Sequence, residues 1–286
     1  MSRSIVKLII CIILIITVAG CNTLSEEEKE KFREAIKNDD RRYIEYILSK
    51  GVNLNDEKVF GYLPLHIAAG ANNIELIELF LKHGANINSV DGLKQNCLFK
   101  AYNINTVKYL IEHGANVNQV DMNGDTPLLN VAWNYGLAKL YIEKGSNINH
   151  KDQHGNTIFL SSILFNNNKL VRYLIKNKKI DINEVNDIGS NALMLFLFVN
   201  KKRIEDKGLI TLLIKEGINI NHQDNYGHTA LHDGVMLGHK KEIIKLLLDN
   251  GADVNIKNKN GKTPLDIAME KGDKDIINLL KMYAKK

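Results

Sequence analysis

The sequence lacks the features that mark an enzyme, a nucleic-acid-binding protein or a membrane-spanning protein. It has no Ser–His–Asp spacing, no glycine-rich phosphate-binding loop and no paired-cysteine motif. Its formal net charge of +5 over 286 residues is small and dispersed, whereas nucleic-acid binding calls for a clustered basic face. The apolar run at residues 8–19 is shorter than the roughly 20 residues of a membrane-spanning helix. We therefore expect no catalysis, no cofactor, no small-molecule substrate and no nucleic-acid partner.

What the sequence does contain is a tandem repeat that runs from residue 61 to the end. The clearest copies lie at residues 61–69, 227–232 and 261–268, where Gly precedes a Thr-Pro-Leu-His-like motif. Weaker copies in the same register lie at residues 96–101, 126–129, 157–160 and 191–193. The step from Pro64 to Cys97 is 33 residues. Repeats of this length stack on their neighbours and present a long surface.

The period and the motif resemble those of ankyrin-repeat proteins. The resemblance covers about residues 56–284 well and residues 25–55 more loosely. It implies an all-α solenoid of helix-turn-helix units with short β-hairpin-like fingers and about eight repeats. It also implies that His66 and His232, the motif histidines, bond locally and to the adjoining turn.

Each part of the repeat has a mechanical reason. A Thr accepts a hydrogen bond from an otherwise unpaired backbone N–H at the helix start, and Pro at the first helical position lacks a donor that would go unused. A Gly ends each second helix, where a left-handed residue is needed. The Asn-x-Asn echo that follows, such as residues 86–88, predicts an extended finger with one packed face.

Two parts of the array depart from the pattern. Residues 25–55 predict a divergent first repeat whose charged outer face meets water, as a terminal repeat requires. Further on, a Lys-rich run at 176–179 replaces the expected Gly, and an insertion lies at 201–207. The insertion is interpreted as a longer surface loop. The alternative is that its basic side chains form the edge of a binding surface. We predict that the array is least stable here, because a stack fails at its poorest interface.

The N-terminus resembles a bacterial lipoprotein signal. Arg3 and Lys7 precede the short apolar run, which ends in Val-Ala-Gly-Cys at residues 18–21. The resemblance implies cleavage before Cys21, a diacylglyceryl group on its sulfur and a further acyl chain on the new N-terminus. We expect a signal peptide at 1–20, a lipidated Cys21 with a tether to residue 24, and a repeat domain at 25–286. An uncleaved anchor with an incidental cysteine is the alternative.

This resemblance implies a location and constrains the remaining side-chain chemistry. The protein would be lipid-anchored in the bacterial cell envelope, at an outer membrane, in the periplasm or at the cell surface.

The same resemblance leaves one free cysteine in the mature chain. Cys11 would be removed with the signal peptide and Cys21 would carry the lipid, so only Cys97 would remain and no intrachain disulfide is expected. Cys97 is interpreted as a small buried side chain that fills space in the core. His150 with His154, and His222 with His228, flank fingers about 20 Å apart, which is too far for shared zinc ligation. No metal site is expected.

The partner-binding surface is predicted from the family's geometry. In ankyrin-repeat proteins the concave face is built by the finger tips and the ends of the first helices. Around those positions the middle repeats carry apolar side chains, as protein-binding hot spots do. The alternative is that irregular repeats tilt these side chains into the core. The predicted partner-binding residues are Trp133, Phe165, Phe198, Met236, Leu237, Met122 and Tyr226.

Together these patterns predict a membrane-anchored, monomeric scaffold that binds an unknown protein along its concave face. One alternative is an inhibitor or protective protein that blocks a specific enzyme or toxin. Others are a surface-exposed host-interaction protein and an enzyme with an unrecognised site. The motifs do not separate these alternatives.

Overall fold

The computed structural model describes residues 24–56, 62–177, 180–200 and 207–285. The chain divides into two compact units, Met1–Met122 and Asn123–Lys286, and helix pairs build each of them. The predicted all-α class is confirmed. The predicted signal peptide, Cys21, Lys178, Lys179 and the insertion at 201–206 lie outside the described residues. No helix in the described ranges is long and apolar enough to cross a membrane.

The first unit contains three helix pairs in its described residues. The first pair is α1 (Glu26–Asn38) with α2 (Arg41–Ser49), the second is α3 (Pro64–Gly70) with α4 (Ile74–Lys82), and the third is a 3-10 helix (Cys97–Lys100) with α5 (Ile104–Glu112). A capping box between Ser25 and Glu28 starts α1. Phe32 of α1 lies edge-to-face against Phe80 of α4, with ring centroids 6.1 Å apart. Neighbouring repeats thus bury side chains that neither would bury alone.

The second unit contains five helix pairs in its described residues. They are α6 (Pro127–Asn130) with α7 (Tyr135–Glu143), α8 (Ile158–Leu164) with α9 (Asn168–Lys176), α10 (Ala192–Val199) with α11 (Lys207–Lys215), α12 (Ala230–Leu237) with α13 (Lys241–Asp249), and α14 (Pro264–Lys271) with α15 (Lys274–Ala284). The first helices pack in a row, α6 on α8, α8 on α10, α10 on α12 and α12 on α14. Residues 192–197 of α10 are all buried because this helix has neighbours on both sides.

The predicted helix starts and ends are confirmed. The motif threonines accept a hydrogen bond from the third helical backbone N–H at Thr126, Thr157, Thr229 and Thr263. All three prolines of the chain occupy the first position of a first helix. The glycines that follow the second helices have positive φ angles, as predicted for Gly84, Gly114, Gly145, Gly217 and Gly251.

The Asn-x-Asn segments are turns, so the prediction of an extended segment there is wrong. The Asn86 side chain accepts a hydrogen bond from the backbone N–H of Asn88, at 2.9 Å, and closes the chain on itself. The Asn88 side chain then accepts from the Asn116 N–H at 2.7 Å and donates to the Gly114 carbonyl at 3.0 Å. In the second unit, Asn221 makes the same pair of bonds to the next repeat. We call this set of side-chain bonds the asparagine ladder.

The predicted β-hairpin-like fingers are tight turns that stack on one another. Within the described ranges the only isolated β-bridge joins Val185 and Asn191. Elsewhere a backbone bond closes the turn, as from the Asp224 N–H to the His228 carbonyl at 2.9 Å. Neighbouring tips are joined by further backbone bonds, such as Asn225 N–H to the Ile188 carbonyl at 3.0 Å.

The glycine at one finger tip is required by close packing. Gly227 has a φ of +76°, and a Cβ there would lie 2.8 Å from the backbone nitrogen of Lys259. The same nitrogen donates a hydrogen bond to the Tyr226 carbonyl at 3.0 Å. The stacking of fingers therefore fixes the position of Tyr226 beside the helix row.

Candidate functional site

Four of the predicted partner-binding residues form a surface row at the ends of the first helices of the second unit. Phe165 follows the last residue of α8, and Phe198 and Met236 are the next-to-last residues of α10 and α12. The exposed fractions are 51% for Trp133, 57% for Phe165, 64% for Phe198 and 40% for Met236. The structure thus places these side chains at the surface and not in the core between repeats. Their role in binding stays a prediction.

Between this row and the finger tips lies a cavity of about 500 Å³, which we call the groove. It is lined by the first helices α10 and α12 and by the fingers at residues 186–190 and 224–228. It brings together four of the predicted residues, namely Phe198, Met236, Leu237 and Tyr226. Trp133 and Phe165 belong to the row but do not line the groove. Met122 is exposed and belongs to the first unit.

The base of the groove is polar, although its walls are apolar. Asp233 of α12 is largely buried, and its Oδ1 lies 3.6 Å from Nδ1 of His228 on the finger. Burial and, to a smaller extent, the nearby Asp224 raise the pKa of Asp233 to about 7. Asp224 accepts hydrogen bonds from the backbone N–H groups of Tyr226 and His228, both at 2.8 Å, and so holds the finger in shape.

His232, which lies beneath His228, has a structural role. Its Nε2 donates to the Lys262 carbonyl at 3.1 Å, and its Nδ1 accepts a hydrogen bond from Thr229. Burial lowers the pKa of His232, so the ring is neutral at physiological pH. In the first unit, His66 bonds the Gln95 carbonyl at 2.8 Å. The prediction that these two histidines bond to the adjoining turn is confirmed.

Comparison with known families agrees with this geometry. A model of three ankyrin repeats matches residues 4–91, 32–121 and 202–286, and a model of a single ankyrin repeat matches residues 154–184. The chain belongs to the ankyrin-repeat family. Members of this family are typically non-catalytic binding proteins. The matches leave out residues 1–3, 122–153 and 185–201, so the count of about eight repeats stays a prediction. They give no support to a lipoprotein signal at the N-terminus.

Curated relatives resemble part of this ankyrin-repeat chain. The putative ankyrin repeat protein FPV031 of Fowlpox virus (strain NVSL) is 33% identical over 120 residues, which is 41% of this chain and 34% of that protein. The human ankyrin repeat, SAM and basic leucine zipper domain-containing protein 1 is 36% identical over 76 residues, which is 27% of this chain and 16% of that protein. The chain therefore spans about a third or less of these relatives.

The repeat motif alone does not reveal the acidic side chain at the base of the groove. Asp233 follows the motif His, and it is the only carboxylate in that register of the ankyrin repeats. The other repeats carry uncharged side chains or a lysine there, at Ile67, Lys100, Asn130, Ser161, Leu195 and Ile267. This single carboxylate among the motif positions is the sequence signal that could have identified the base of the groove. A buried carboxylate in an apolar surface costs free energy unless a partner pairs with it.

His150, His222 and Cys97 serve the ankyrin-repeat framework. His150 Nε2 bonds the Gly124 carbonyl at 2.7 Å, and His222 Nε2 bonds the Gly189 carbonyl at 2.8 Å. Among the residues that the structure describes, no group of three or more His, Cys, Asp or Glu side chains could hold a metal ion. Cys97 is fully buried, as predicted, and burial raises the pKa of its thiol to about 12.

Proposed function

We propose that this ankyrin-repeat protein is a membrane-anchored scaffold that binds a segment of another protein along the helix-end row and groove of its second unit. The observation that carries the proposal is the exposure of Trp133, Phe165, Phe198 and Met236 at successive helix ends. Contiguous exposed apolar side chains of this kind mark interaction sites, and rigid aromatic anchors supply much of the binding energy in such sites.

The length of the row suits a peptide segment. Helices pack about 8–10 Å apart, so four successive first helices place their ends over roughly 30 Å. An extended chain rises about 3.3 Å per residue, which gives about nine residues along the row. The Phe198–Met236 end of the row opens into the groove, where one or more side chains of the segment would be buried.

Anchoring through Cys21 is the second part of the proposal. Its support is the order of the basic residues Arg3 and Lys7, the short apolar run and the Val-Ala-Gly-Cys sequence that ends it. Two or more acyl chains make release from a bilayer slow, whereas one chain binds reversibly. Only residues 22–24 separate Cys21 from the N-cap of α1, so the repeats would lie close to the membrane of the bacterial cell envelope.

The binding part is tested by alanine substitution at Trp133 and Phe198, with Met282→Ala as the matched control. Met282 is equally exposed but lies on α15, outside the groove. Partner capture from detergent-solubilised cell envelopes, quantified by mass spectrometry, should fall for the first two variants and persist for the control. The melting temperature should be unchanged in all three. Unchanged capture, or loss of stability in place of capture, would contradict the proposal.

The anchoring part is tested by Cys21→Ala in cells fed an alkyne-tagged fatty acid. The wild-type chain should acquire the label and remain in the membrane fraction. The variant should lose the label and appear as a soluble or unprocessed product. A variant that is still cleaved and fully membrane-bound would refute lipidation. If the captured partner is an enzyme that loses activity in the complex, the inhibitor alternative replaces the adaptor role.

A further inference from the structure

The chemistry of the groove narrows the kind of segment that it fits. Its walls are apolar, with the side chains of Phe198, Tyr226 and Ile188 exposed toward solvent. Its base carries the Asp233 carboxylate, which is largely buried. A carboxylate at the bottom of an apolar cavity favours a cationic occupant, because burial strengthens the attraction to an opposite charge.

Asp233 lacks a strong partner of its own. Within the described part of the chain its only ion-pair partner is His228, at 3.6 Å, and that ring is charged only when protonated. Lys271 of α14 reaches the rim, but its Nζ donates to the Met236 carbonyl at 2.7 Å. Asp224 adds a second negative charge nearby, and its carboxylate is used by the finger's own backbone N–H groups. The base of the groove therefore holds an acidic group that is incompletely paired, and a cation placed against it would favour the ionised form.

The flat rings around this carboxylate favour a guanidinium over an ammonium. The His228 ring is stacked on His232 at 5.7 Å with an angle of 18°, and the Tyr226 ring lies 6.3 Å from His228. A guanidinium is planar, stacks on aromatic faces and forms two parallel hydrogen bonds with a carboxylate. A lysine ammonium is a strongly hydrated point charge that gains less from such walls.

We propose that the groove binds a segment that presents one arginine between apolar side chains. The guanidinium pairs with Asp233 and lies against Tyr226, and the apolar neighbours pack on Phe198 and Met236. This inference rests on the proposed function and specifies the chemistry of the partner.

The test begins with a phage-displayed library of random peptides of about ten residues, the length that the row accommodates. The library is selected against the full chain in detergent micelles. We expect the selected peptides to share one arginine flanked by apolar residues, and to lose binding to Phe198→Ala. The best peptide is then synthesised in two forms, one with arginine and one with citrulline, which has the same shape without the charge.

The two peptides measure the contribution of Asp233 directly. On the wild-type chain, citrulline should weaken the Kd about tenfold, as expected for loss of a charge-assisted bidentate pair. On Asp233→Asn the two peptides should bind within about twofold of each other, because the coupling is gone. Asp275→Asn, the same charge change at an exposed site on α15, should retain the tenfold difference. Melting temperatures of both variants check that the fold is intact.

The possible outcomes separate this inference from the proposed function. Peptides that require Phe198 but share no arginine, or share a lysine, would overturn the inference and leave the groove as a binding site. An arginine preference that survives in Asp233→Asn would overturn it as well. Peptides that bind Phe198→Ala normally, or a failure to enrich any peptide, would count against the proposed function and the inference together.

Discussion

The two units carry different side chains at the same exposed position of the repeat. In the first unit, the seventh residue after the motif Thr position is Gly70 or Asn103, and both are exposed. In the second unit, Trp133, Phe198 and Met236 occupy it and are exposed, Glu270 occupies it in the last repeat and is exposed, and Leu164 is partly buried there. Because this position is exposed in six of these seven repeats, whether it holds Gly, Asn, Glu or an apolar residue, packing does not require an aromatic side chain there. The exposed apolar residues at Trp133, Phe198 and Met236 support the binding role proposed for them.

The largest expected effect on stability distinguishes a buried phenylalanine from an exposed one on the same helix. Phe196 and Phe198 both lie on α10, but Phe196 is buried and Phe198 is exposed. Phe196→Ala should lower the free energy of unfolding by about 4 kcal/mol, since it leaves a cavity. Phe198→Ala should change it by less than about 0.5 kcal/mol. Urea denaturation measures both. Equal losses would mean that Phe198 is part of the core.

The next effect tests the stacking of the fingers. Gly227 and Gly261 have similar φ angles, +76° and +73°, but only at Gly227 would a Cβ meet the next finger. Gly261→Ala should cost about 1 kcal/mol for the left-handed backbone alone. Gly227→Ala should cost about 3 kcal/mol, because the finger that carries Tyr226 must also move. Thermal denaturation of the two variants gives the difference, and equal costs would show that the finger contact is unimportant.

A smaller effect, dependent on pH, tests the base of the groove. The pKa of Asp233 is about 7 in the folded chain, against 3.8 for an ordinary Asp. Well below pH 3.8 the carboxyl is protonated in both states and costs nothing. Between pH 4 and 7 the unfolded chain ionises first, so the wild type loses stability as the pH rises. Asp233→Asn removes that penalty.

The variant should therefore exceed the wild type by only about 0.5 kcal/mol near pH 4 and by about 2 kcal/mol at pH 8, a value moderated by the remaining contact of the side chain with water. Urea denaturation at the two pH values measures the difference. A variant that is less stable than the wild type at pH 8 would show that the His228 contact pairs the carboxylate effectively. The arginine proposed for the partner would then have a competitor within the chain.

The smallest effect asks whether the framework is the same in both units. Asn88 and Asn221 occupy equivalent rungs of the asparagine ladder. Alanine at either position should cost about 1 kcal/mol, because each substitution removes two hydrogen bonds near solvent. Equal losses in the free energy of unfolding, measured by chemical denaturation, would mean that the two units differ only in their surface residues. A much larger cost at one position would reveal a difference in the framework.

The repeated parts of the fold could be predicted from sequence because each depends on residues close together in the chain. Thr229 caps α12 through a backbone N–H only three residues away. The error at residues 86–88 arose because three alternating residues are too few to indicate a strand. There, the local bond from the Asn88 N–H to the Asn86 side chain competes with an extended chain and prevails.

The candidate site was only partly predictable. The exposed row follows from the repeat register, so Phe198 and Met236 were found by counting. The groove also needs Ile188 beside Tyr226, a contact between fingers 38 residues apart in the sequence. The raised pKa of Asp233 depends on its burial in the folded groove, which the spacing of motif residues does not predict.

The asparagine ladder has a consequence for how such a chain can grow. The rungs at Asn88 and Asn221 bond only main-chain atoms of the following repeat, and these atoms are the same whatever side chains that repeat carries. Duplication or deletion of one complete repeat beside such a rung would therefore leave its hydrogen bonds chemically unchanged. A lineage can lengthen or shorten the array while the residues that select its ligand vary independently at the helix ends.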